Sequence, residues 1–293
     1  MLKRTITAIV LYGFLLPILL IEPLKFIAFF VLSLFSLIGS FELLRAQTKD
    51  DNIGYGAKTI NYIANAILSI SIIASIRYAQ IAWALIGIVV AIILVLSLLV
   101  FDKKIDAKTI GKIMVSVFLP SLGFGAISYI RSEGIEFLIY LLLVTTLTDV
   151  FAYFYGMLFG KHKLAPLVSP KKTWEGSLGG SIIAVLVASL FAINYGMLLF
   201  GETKMIFASF ESFAKLNNGW SIAVIILISC FASFISQVGD LLYSKIKRTY
   251  DIKDFSNILP GHGGIMDRFD SVTYTAMFLS VILILLRIIW WKN

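Results

Sequence analysis

Residues 79–101, AQIAWALIGIVVAIILVLSLLVF, form a 23-residue run without a charged side chain. With a rise of about 1.5 Å per residue, a helix of this length crosses the roughly 30 Å hydrocarbon core of a bilayer. The whole chain has the same character, because 59% of its 293 residues are hydrophobic and only 14% are charged, against roughly 25% charged residues in soluble domains. We therefore expect an integral membrane protein.

Apolar stretches of similar length recur along the chain. They predict an all-α, polytopic bundle of about nine transmembrane helices. We expect about four of them in an N-terminal region, 1–110, and about five in a C-terminal region, 111–293, that carries the functional loops 159–175 and 244–270. The predicted spans are 5–21, 26–44, 59–76, 79–101, 112–130, 135–158, 176–200, 221–243 and 271–290.

Basic side chains are distributed unevenly over the loops that nine spans would create. Of the 25 Lys and Arg residues, 18 fall on the side that holds the N-terminus and both functional loops, and 7 fall on the other. Because positively charged loops stay in the cytoplasm, we expect that side to be cytoplasmic and the C-terminus to lie outside. This bias accounts for much of the net charge of +8, so we expect no nucleic-acid partner.

Two carboxylates stand out within predicted spans, where an ionised group costs roughly 2.5–3.5 kcal/mol. Asp149 lies in a threonine-rich stretch about 18 Å along a helix from Lys161, the first charge of the following loop. Asp240 precedes Ser244 by about 6 Å. We expect both acids to line a polar cavity open to the cytoplasm, with a simple pairing to a nearby lysine as the alternative for Asp240. Glu42 is interpreted as a solvated or paired charge at a helix end, outside the site.

The segment 244–270 combines three features that suit phosphate chemistry. Basic side chains can neutralise phosphates, and the Pro260–Gly264 turn lets backbone N–H groups approach a ligand. Asp267 and Asp270 share a helix face at the start of the last span, and Mg²⁺ typically uses one or two carboxylates together with substrate phosphates. Taken singly, the same features also suit a lipid-contacting loop and a tight turn. The basic residues are Lys245, Lys247, Arg248 and Lys253.

A second polar segment, 169–176 with the sequence SPKKTWEG, precedes the seventh span. Lys171 and Lys172 offer further phosphate contacts, and the Ser169-Pro170 pair favours an extended entry into the helix. Glu175 lies where a carboxylate would complement the helix dipole, as an alternative to binding a ligand. On its own, this segment is only a weak indication of function.

Two other features of the sequence are expected to be structural. Cys230 is the single cysteine and stands in an apolar run, so we expect a small buried side chain with no disulfide partner. The segment 201–220 carries Phe207, Phe210, Phe213 and Trp220, which suggests a short interfacial helix.

Together these polar segments resemble the phosphatidate cytidylyltransferases, also called CDP-diacylglycerol synthases. The resemblance rests on the spacing S-x-x-K-R-x4-K-D-x5-P-G-H-G-G-x2-D-R-x-D, which begins at Ser244 and ends at Asp270. The stretches Ser169–Gly176 and Asp149–Tyr153 are also similar to that family. The specific match covers roughly residues 145–271, while the N-terminal half agrees only as a set of spans.

The resemblance implies that CTP and phosphatidate react to give CDP-diacylglycerol and diphosphate. It further implies Mg²⁺ on Asp240 and Asp267, with Asp149 and Asp270 as candidates for a second metal or for positioning the ligands. Lys253, His262 and Arg268 are then expected to serve catalysis, His262 as a phosphate hydrogen bonder. Substrate contacts are implied for Asp149, Ser169, Lys171, Lys172, Glu175, Ser244, Lys245, Lys247, Arg248, Asp254, Gly263, Gly264 and Asp270. The family also suggests a bacterial cytoplasmic membrane and a homodimer.

Two kinds of alternative remain open at this stage. One is a related enzyme, either a CTP-dependent lipid kinase or a cytidylyltransferase for ether-linked lipids; a kinase would release CDP and a cytidylyltransferase diphosphate. The other is an ion-coupled transporter with intramembrane acids. Transporters often carry inverted repeats, and we find no convincing repeat in this sequence.

Overall fold

The computed structural model describes residues 13–49, 53–200, 204–210, 213, 217–259, 261 and 263–291. Within these residues, eight helices are long and apolar enough to cross a membrane. The chain is therefore an all-α, multi-pass membrane protein, as the sequence predicts. The helices are α1 (Lys25–Gln47), α2 (Tyr55–Tyr78), α3 (Ile81–Phe101), α4 (Ala107–Glu133), α5 (Ile135–Phe159), α6 (Trp174–Phe200), α7 (Asn218–Thr249) and α8 (Met266–Trp291).

These eight helices match the second to ninth predicted spans. The predicted first span, 5–21, lies only partly within the described residues, of which 13–20 are helical, and a 3-10 turn at Glu22–Leu24 leads into α1. The count of nine spans therefore stays a prediction.

The two functional loops are more ordered than the sequence predicts. Within 159–175, Lys163–Ala165 (β1) and Ser169–Thr173 (β2) form an antiparallel hairpin in which Lys163 pairs with Thr173. The second loop is shorter than 244–270, because α7 continues to Thr249 and α8 begins at Met266. The last turn of α7 and the first turn of α8 carry charged side chains, so the apolar runs in the sequence are shorter than the helices.

The described chain divides into two compact units. The first unit comprises Met1–Ser132 and Ile246–Phe269, and the second comprises Glu133–Lys245 and Asp270–Asn293. The chain thus passes from one unit to the other three times. The functional division at residues 110 and 111 stays a prediction.

A buried network of asparagine and serine side chains lies inside the first unit, between α1, α2 and α4. The amide of Asn61 donates to Ser40 (2.8 Å) and accepts from Ser116 (2.6 Å), and the amide of Asn65 donates to Ser121 (2.7 Å). Unpaired polar groups in hydrocarbon each cost several kcal/mol, so this mutual pairing fixes how the three helices pack.

In the second unit, α5 and α6 approach each other at backbone distance. A Cβ atom on Gly180 would lie 2.5 Å from the backbone nitrogen of Ala152 and 2.6 Å from the carbonyl oxygen of Thr148. Small residues at such positions allow membrane helices to pack closely. As a result, the β2 strand that leads into α6 is held beside the helix that carries Asp149.

Two structural expectations are wrong. Cys230 is exposed rather than buried, because an apolar side chain on a membrane helix can face lipid as well as the protein core. In the described part of 201–220, Ile206–Ser209 form a 3-10 helix and Phe213 is also helical, but the interfacial placement is wrong, because Phe207 is fully buried against Phe137, with ring centroids 5.5 Å apart. Phe207, Phe210 and Phe213 therefore contribute to the core of the second unit, whereas Trp220 is exposed.

Candidate functional site

The second unit brings a lysine and two carboxylates together. The ammonium of Lys172 on β2 forms an ion pair with Oδ2 of Asp240 on α7, and the hydroxyl of Ser244 donates to Asp240 Oδ1 at 3.3 Å. The side chains of Lys172 and Asp240 remain 22% and 26% exposed, respectively. The pair is therefore accessible rather than sealed in the core.

Asp149 completes this group from α5. Its Oδ2 accepts a hydrogen bond from the Ser271 hydroxyl on α8 at 2.9 Å, and its carboxylate interacts electrostatically with both Asp240 and Lys172. We call Asp149, Lys172, Asp240, Ser244 and Ser271 the acid–lysine cluster. Four elements supply it, so its geometry depends on tertiary packing.

Asp270 lies beside this cluster on the first turns of α8. Its Oδ1 accepts a hydrogen bond from the backbone N–H of Ser271 at 2.8 Å, and its side chain is half-buried. Asp270 and Ser271 are adjacent in sequence, so the same turn of α8 positions both.

A different arrangement surrounds Asp267 in the first unit. Its Oδ1 pairs with the Lys247 ammonium at 2.8 Å, while Oδ2 accepts from the backbone N–H groups of Phe255 (2.8 Å) and Gly264 (2.9 Å). The Asp267 side chain is 3% exposed. Asp267 therefore ties two points of the 250–265 loop, Phe255 and Gly264, to the start of α8.

Glu42 organises the start of α8, which the sequence does not predict. The expectation of a solvated or charge-paired residue is wrong, because Glu42 is completely buried. Its Oε1 accepts from the Ser256 hydroxyl (2.5 Å) and the Ile265 N–H (3.0 Å), and its Oε2 accepts from the Met266 N–H (2.9 Å). Backbone N–H groups at a helix start lack partners inside the helix, and Glu42 satisfies two of them from α1.

We call Glu42, Lys247 and Asp267 the loop clasp. The glycines of the 250–265 loop fit around it: a Cβ on Gly264 would lie 2.4 Å from Glu42 Oε1, and a Cβ on Gly263 would lie 2.9 Å from Asp267 Oδ2. Gly263 also has a φ of 82°, a conformation that favours glycine. Both glycines are thus required by contacts within the protein, and their predicted contacts with substrate stay predictions.

The hairpin has its own carboxylate anchor. Glu175, in the first turn of α6, accepts from the backbone N–H groups of Lys161 (3.1 Å) and His162 (3.2 Å), and its Oε1 lies 2.6 Å from His162 Nδ1. Ser169 lies on β2, where it pairs with Ala165. Glu175 therefore organises the hairpin, and the substrate contacts predicted for Glu175 and Ser169 stay predictions.

Most of the remaining predicted residues lie at the surface of their own unit. The guanidinium of Arg248 donates to the carbonyl of Ile252 at 3.3 Å, so it also stabilises the end of α7. His262 lies outside the described residues. The exposed residues are Lys171, Lys245, Arg248, Lys253, Asp254 and Arg268.

The donor set of the acid–lysine cluster fits magnesium. Among the described residues, no group of three or more His, Cys, Asp or Glu side chains converges to form a complete metal cage. Mg²⁺ does not need one, since it is usually bound by one or two carboxylates plus phosphates and water. Within the second unit, Asp149 and Asp240 could take this role, and Asp270 lies beside them.

Comparison with known proteins agrees with this chemistry. The model of the cytidylyltransferase family matches residues 2–286. The phosphatidate cytidylyltransferase of Staphylococcus haemolyticus (strain JCSC1435) is 37% identical over 173 residues, which is 58% of each chain. That of Staphylococcus epidermidis (strain ATCC 12228 / FDA PCI 1200) is 35% identical over 199 residues, 68% of each chain. The alignments thus span about three fifths to two thirds of the relatives' length. The chain belongs to the cytidylyltransferase family.

Proposed function

We propose that the protein is a phosphatidate cytidylyltransferase, which converts CTP and phosphatidate to CDP-diacylglycerol and diphosphate. The family match and the names of the relatives support this assignment. The observation that carries it is the acid–lysine cluster, where Asp149, Lys172 and Asp240 place both signs of charge on membrane helices and the adjoining hairpin. Such a group suits a reaction between a membrane-bound phosphate and a soluble nucleotide.

The reaction transfers a cytidylyl group between two anions. An oxygen of the phosphatidate phosphate forms a bond to the α-phosphorus of CTP, and the bond from that phosphorus to the β-phosphate oxygen breaks, which releases diphosphate. Because the second pKa of a phosphomonoester is about 6, the attacking oxygen is largely ionised at neutral pH. The protein therefore does not need a general base, and its main task is to position and neutralise the phosphates.

Lys172 is the best-placed cation for this task. It lies at the surface end of the acid–lysine cluster and is 22% exposed. Charge-assisted hydrogen bonds from ammonium to phosphate are stronger than neutral ones. Lys172 would exchange Asp240 for a substrate phosphate, and Lys171 beside it would add a second contact.

The proposed cofactor is Mg²⁺, with Asp149 and Asp240 as its ligands. When bound, Mg²⁺ neutralises phosphate charge and stabilises the departing diphosphate. Asp267 stays a candidate ligand for Mg²⁺, although in the present structure the loop clasp engages both of its oxygens. A second metal, and the phosphate contacts of Lys253, His262 and Arg268, stay proposals.

We place the reaction at the cytoplasmic face of a bacterial cytoplasmic membrane. CTP is a soluble nucleotide, and the basic side chains that the sequence concentrates on one face would attract it. A homodimer is proposed from the family resemblance alone.

One assay tests the function. Purified protein in detergent receives CTP labelled on the cytidine, phosphatidate and Mg²⁺, and the products are separated. Labelled CDP-diacylglycerol with stoichiometric diphosphate is expected, whereas labelled CDP would indicate a lipid kinase. Folded protein that forms neither product would overturn the proposal.

A further inference from the structure

An apolar groove of about 410 Å³ lies between α6 and α7 in the second unit. Its rim on α6 consists of Ile182, Leu186 and Leu190, which recur every four residues and are 67%, 60% and 53% exposed. Its opposite rim on α7 includes Ile226 and Cys230. A volume of this size is typical of a ligand-binding cleft.

The floor of the groove carries hydroxyl groups that are already engaged. Ser189 is buried and donates to Ser229 on α7 at 3.0 Å. Ser181 accepts from the side-chain amide of Gln237 (2.7 Å) and from the hydroxyl of Ser233 (2.9 Å). Because these polar groups bind one another across the two helices, the surface left to an occupant is apolar.

One end of the groove lies close to the acid–lysine cluster. Gln237, which contacts Ser181, precedes Asp240 by three residues, or about 4.5 Å along α7. Gln237 also accepts a hydrogen bond from Ser177, five residues after Lys172. The groove therefore begins about one helical turn from the Lys172–Asp240 ion pair.

The other end of the groove points away from that ion pair. Ser181 on α6 contacts Gln237 on α7, and the later residue Ser189 contacts the earlier residue Ser229. The two helices therefore run antiparallel. From Ser181 to Ile193 the groove follows α6 for twelve residues, or about 18 Å. That length is close to one leaflet of a hydrocarbon core roughly 30 Å thick.

We propose that this groove holds one acyl chain of the phospholipid substrate while its phosphate lies at the acid–lysine cluster. The proposal rests on the proposed function and deepens it by naming the route along which the lipid approaches. An apolar channel one leaflet long that begins beside a cationic side chain matches the amphipathic shape of a phospholipid with an anionic head group.

The groove acts by alignment rather than by hydrophobic attraction. Lipid tails are as apolar as leucine side chains, so an acyl chain gains little by moving from bilayer to groove. Holding the acyl chain in the groove does restrict how the phosphate is oriented toward the nucleotide. A misplacement of about 1 Å can cost about 100-fold in rate. The groove should therefore matter for long-chain substrates and not for short ones.

Filling the groove tests this directly. We substitute Val185→Trp on its lining, with Leu227→Trp as the matched control, because Leu227 is 56% exposed on α7 outside the groove. Each protein is reconstituted in phosphatidylcholine nanodiscs and assayed with dioleoyl and dihexanoyl phosphatidate. Val185→Trp should lower kcat for the dioleoyl substrate about tenfold and leave kcat for dihexanoyl phosphatidate and the KM for CTP unchanged. The control should change none of them.

A second measurement does not require turnover. Cys230 is the only cysteine of the chain and is exposed on the groove rim, so its rate of maleimide labelling reports occupancy. Dioleoyl phosphatidate should slow labelling at least about threefold relative to dioleoyl phosphatidylcholine, because only the anionic head group is drawn to Lys172. If labelling is equally fast with both lipids, the acyl-chain assignment is wrong even where the enzyme is active.

Other outcomes distinguish a failure of the groove assignment from a failure of the proposed function. If Val185→Trp impairs both chain lengths equally and also turns dimers into monomers by light scattering, the groove is an interface between copies, and the assignment fails. If wild-type protein forms no CDP-diacylglycerol yet phosphatidate protects Cys230, the groove assignment survives and the proposed function fails.

Discussion

The acid–lysine cluster and the loop clasp use similar side chains in opposite ways. Asp240 is held by a lysine and a hydroxyl and remains 26% exposed. Glu42 and Asp267 are held mainly by backbone N–H groups and are 0% and 3% exposed. A side-chain partner can rotate away when another cation arrives, whereas a backbone donor moves only if the loop moves. The difference separates carboxylates available for chemistry from those that maintain a loop.

The largest expected effect is on Asp240. Asp240→Asn removes a negative charge from the accessible cluster without removing a backbone contact, so kcat should fall at least about 100-fold while the melting temperature changes little. Steady-state kinetics and thermal unfolding in the same detergent measure the two quantities. Asp106→Asn is the control, because Asp106 is an exposed helix cap whose role asparagine can keep.

One result would contradict the distinction between the acid–lysine cluster and the loop clasp. An Asp240→Asn protein that loses activity only because it unfolds would show that the acid–lysine cluster is also a structural clasp. In that case, its partial exposure would not indicate an exchangeable partner.

Glu42→Leu should have the next largest effect, mainly a loss of local stability in the segment 255–266. Glu42→Leu leaves three donors, from Ser256, Ile265 and Met266, without an acceptor. Each buried unsatisfied group costs about 1–3 kcal/mol, so the 255–266 backbone should exchange its amide protons at least about tenfold faster. Hydrogen exchange with mass spectrometry measures this, and activity should fall with it because this loop carries Lys253 and the Gly263–Gly264 turn.

Glu42→Gln serves as the conservative variant for this test. Glutamine keeps one acceptor oxygen in nearly the same shape, so it should retain part of the protection and part of the activity. Unchanged hydrogen exchange in Glu42→Leu would contradict the assignment of Glu42 as the residue that positions the loop.

Substitution of Lys172 should have a smaller effect, which raises the KM for substrate but lowers the Mg²⁺ concentration needed for activation. Lys172→Ala removes a phosphate partner, which should raise the KM for substrate about tenfold, as expected for one hydrogen bond to a charged group. It also frees Asp240 from its ion pair, so half-maximal activation should need less Mg²⁺ than in wild type. Magnesium titrations at saturating and limiting substrate measure both. A rise in the Mg²⁺ requirement would contradict an exchangeable Asp240.

The sequence predicts the membrane helices well for a physical reason. Hydrocarbon thickness imposes a minimum length on any spanning helix, so the apolar run at 79–101 predicts α3 to within two residues at its start. The same physics makes Asp149 and Asp240 conspicuous, because charge inside a span is costly. Apolarity alone does not tell lipid from core, which is why the prediction for Cys230 failed.

Long-range partners explain most of what the sequence did not predict. Glu42 and Ser256 are 214 residues apart, and the other two donors to Glu42 are backbone groups that carry no sequence signal. The Lys172–Asp240 ion pair was only one of two alternatives for Asp240. Asp149, Asp240 and Glu42 all lie inside predicted spans, which is the sequence signal that marks such acids. That signal led to the predictions for Asp149 and Asp240 but was not used for Glu42.

Substitution of Glu175 should have the smallest effect. Glu175 resembles the loop clasp because it accepts from the backbone N–H groups of Lys161 and His162, yet its side chain is 29% exposed. Water can replace a lost acceptor oxygen at an exposed site, so the cost of Glu175→Gln should be far below that of Glu42→Gln, the same change at a buried site. We expect a melting temperature within about 2 °C of wild type and faster exchange confined to the Lys161 and His162 amides. If Glu175→Gln instead destabilises the protein as much as Glu42→Gln, the kind of donor, rather than burial, determines what a clasping carboxylate contributes.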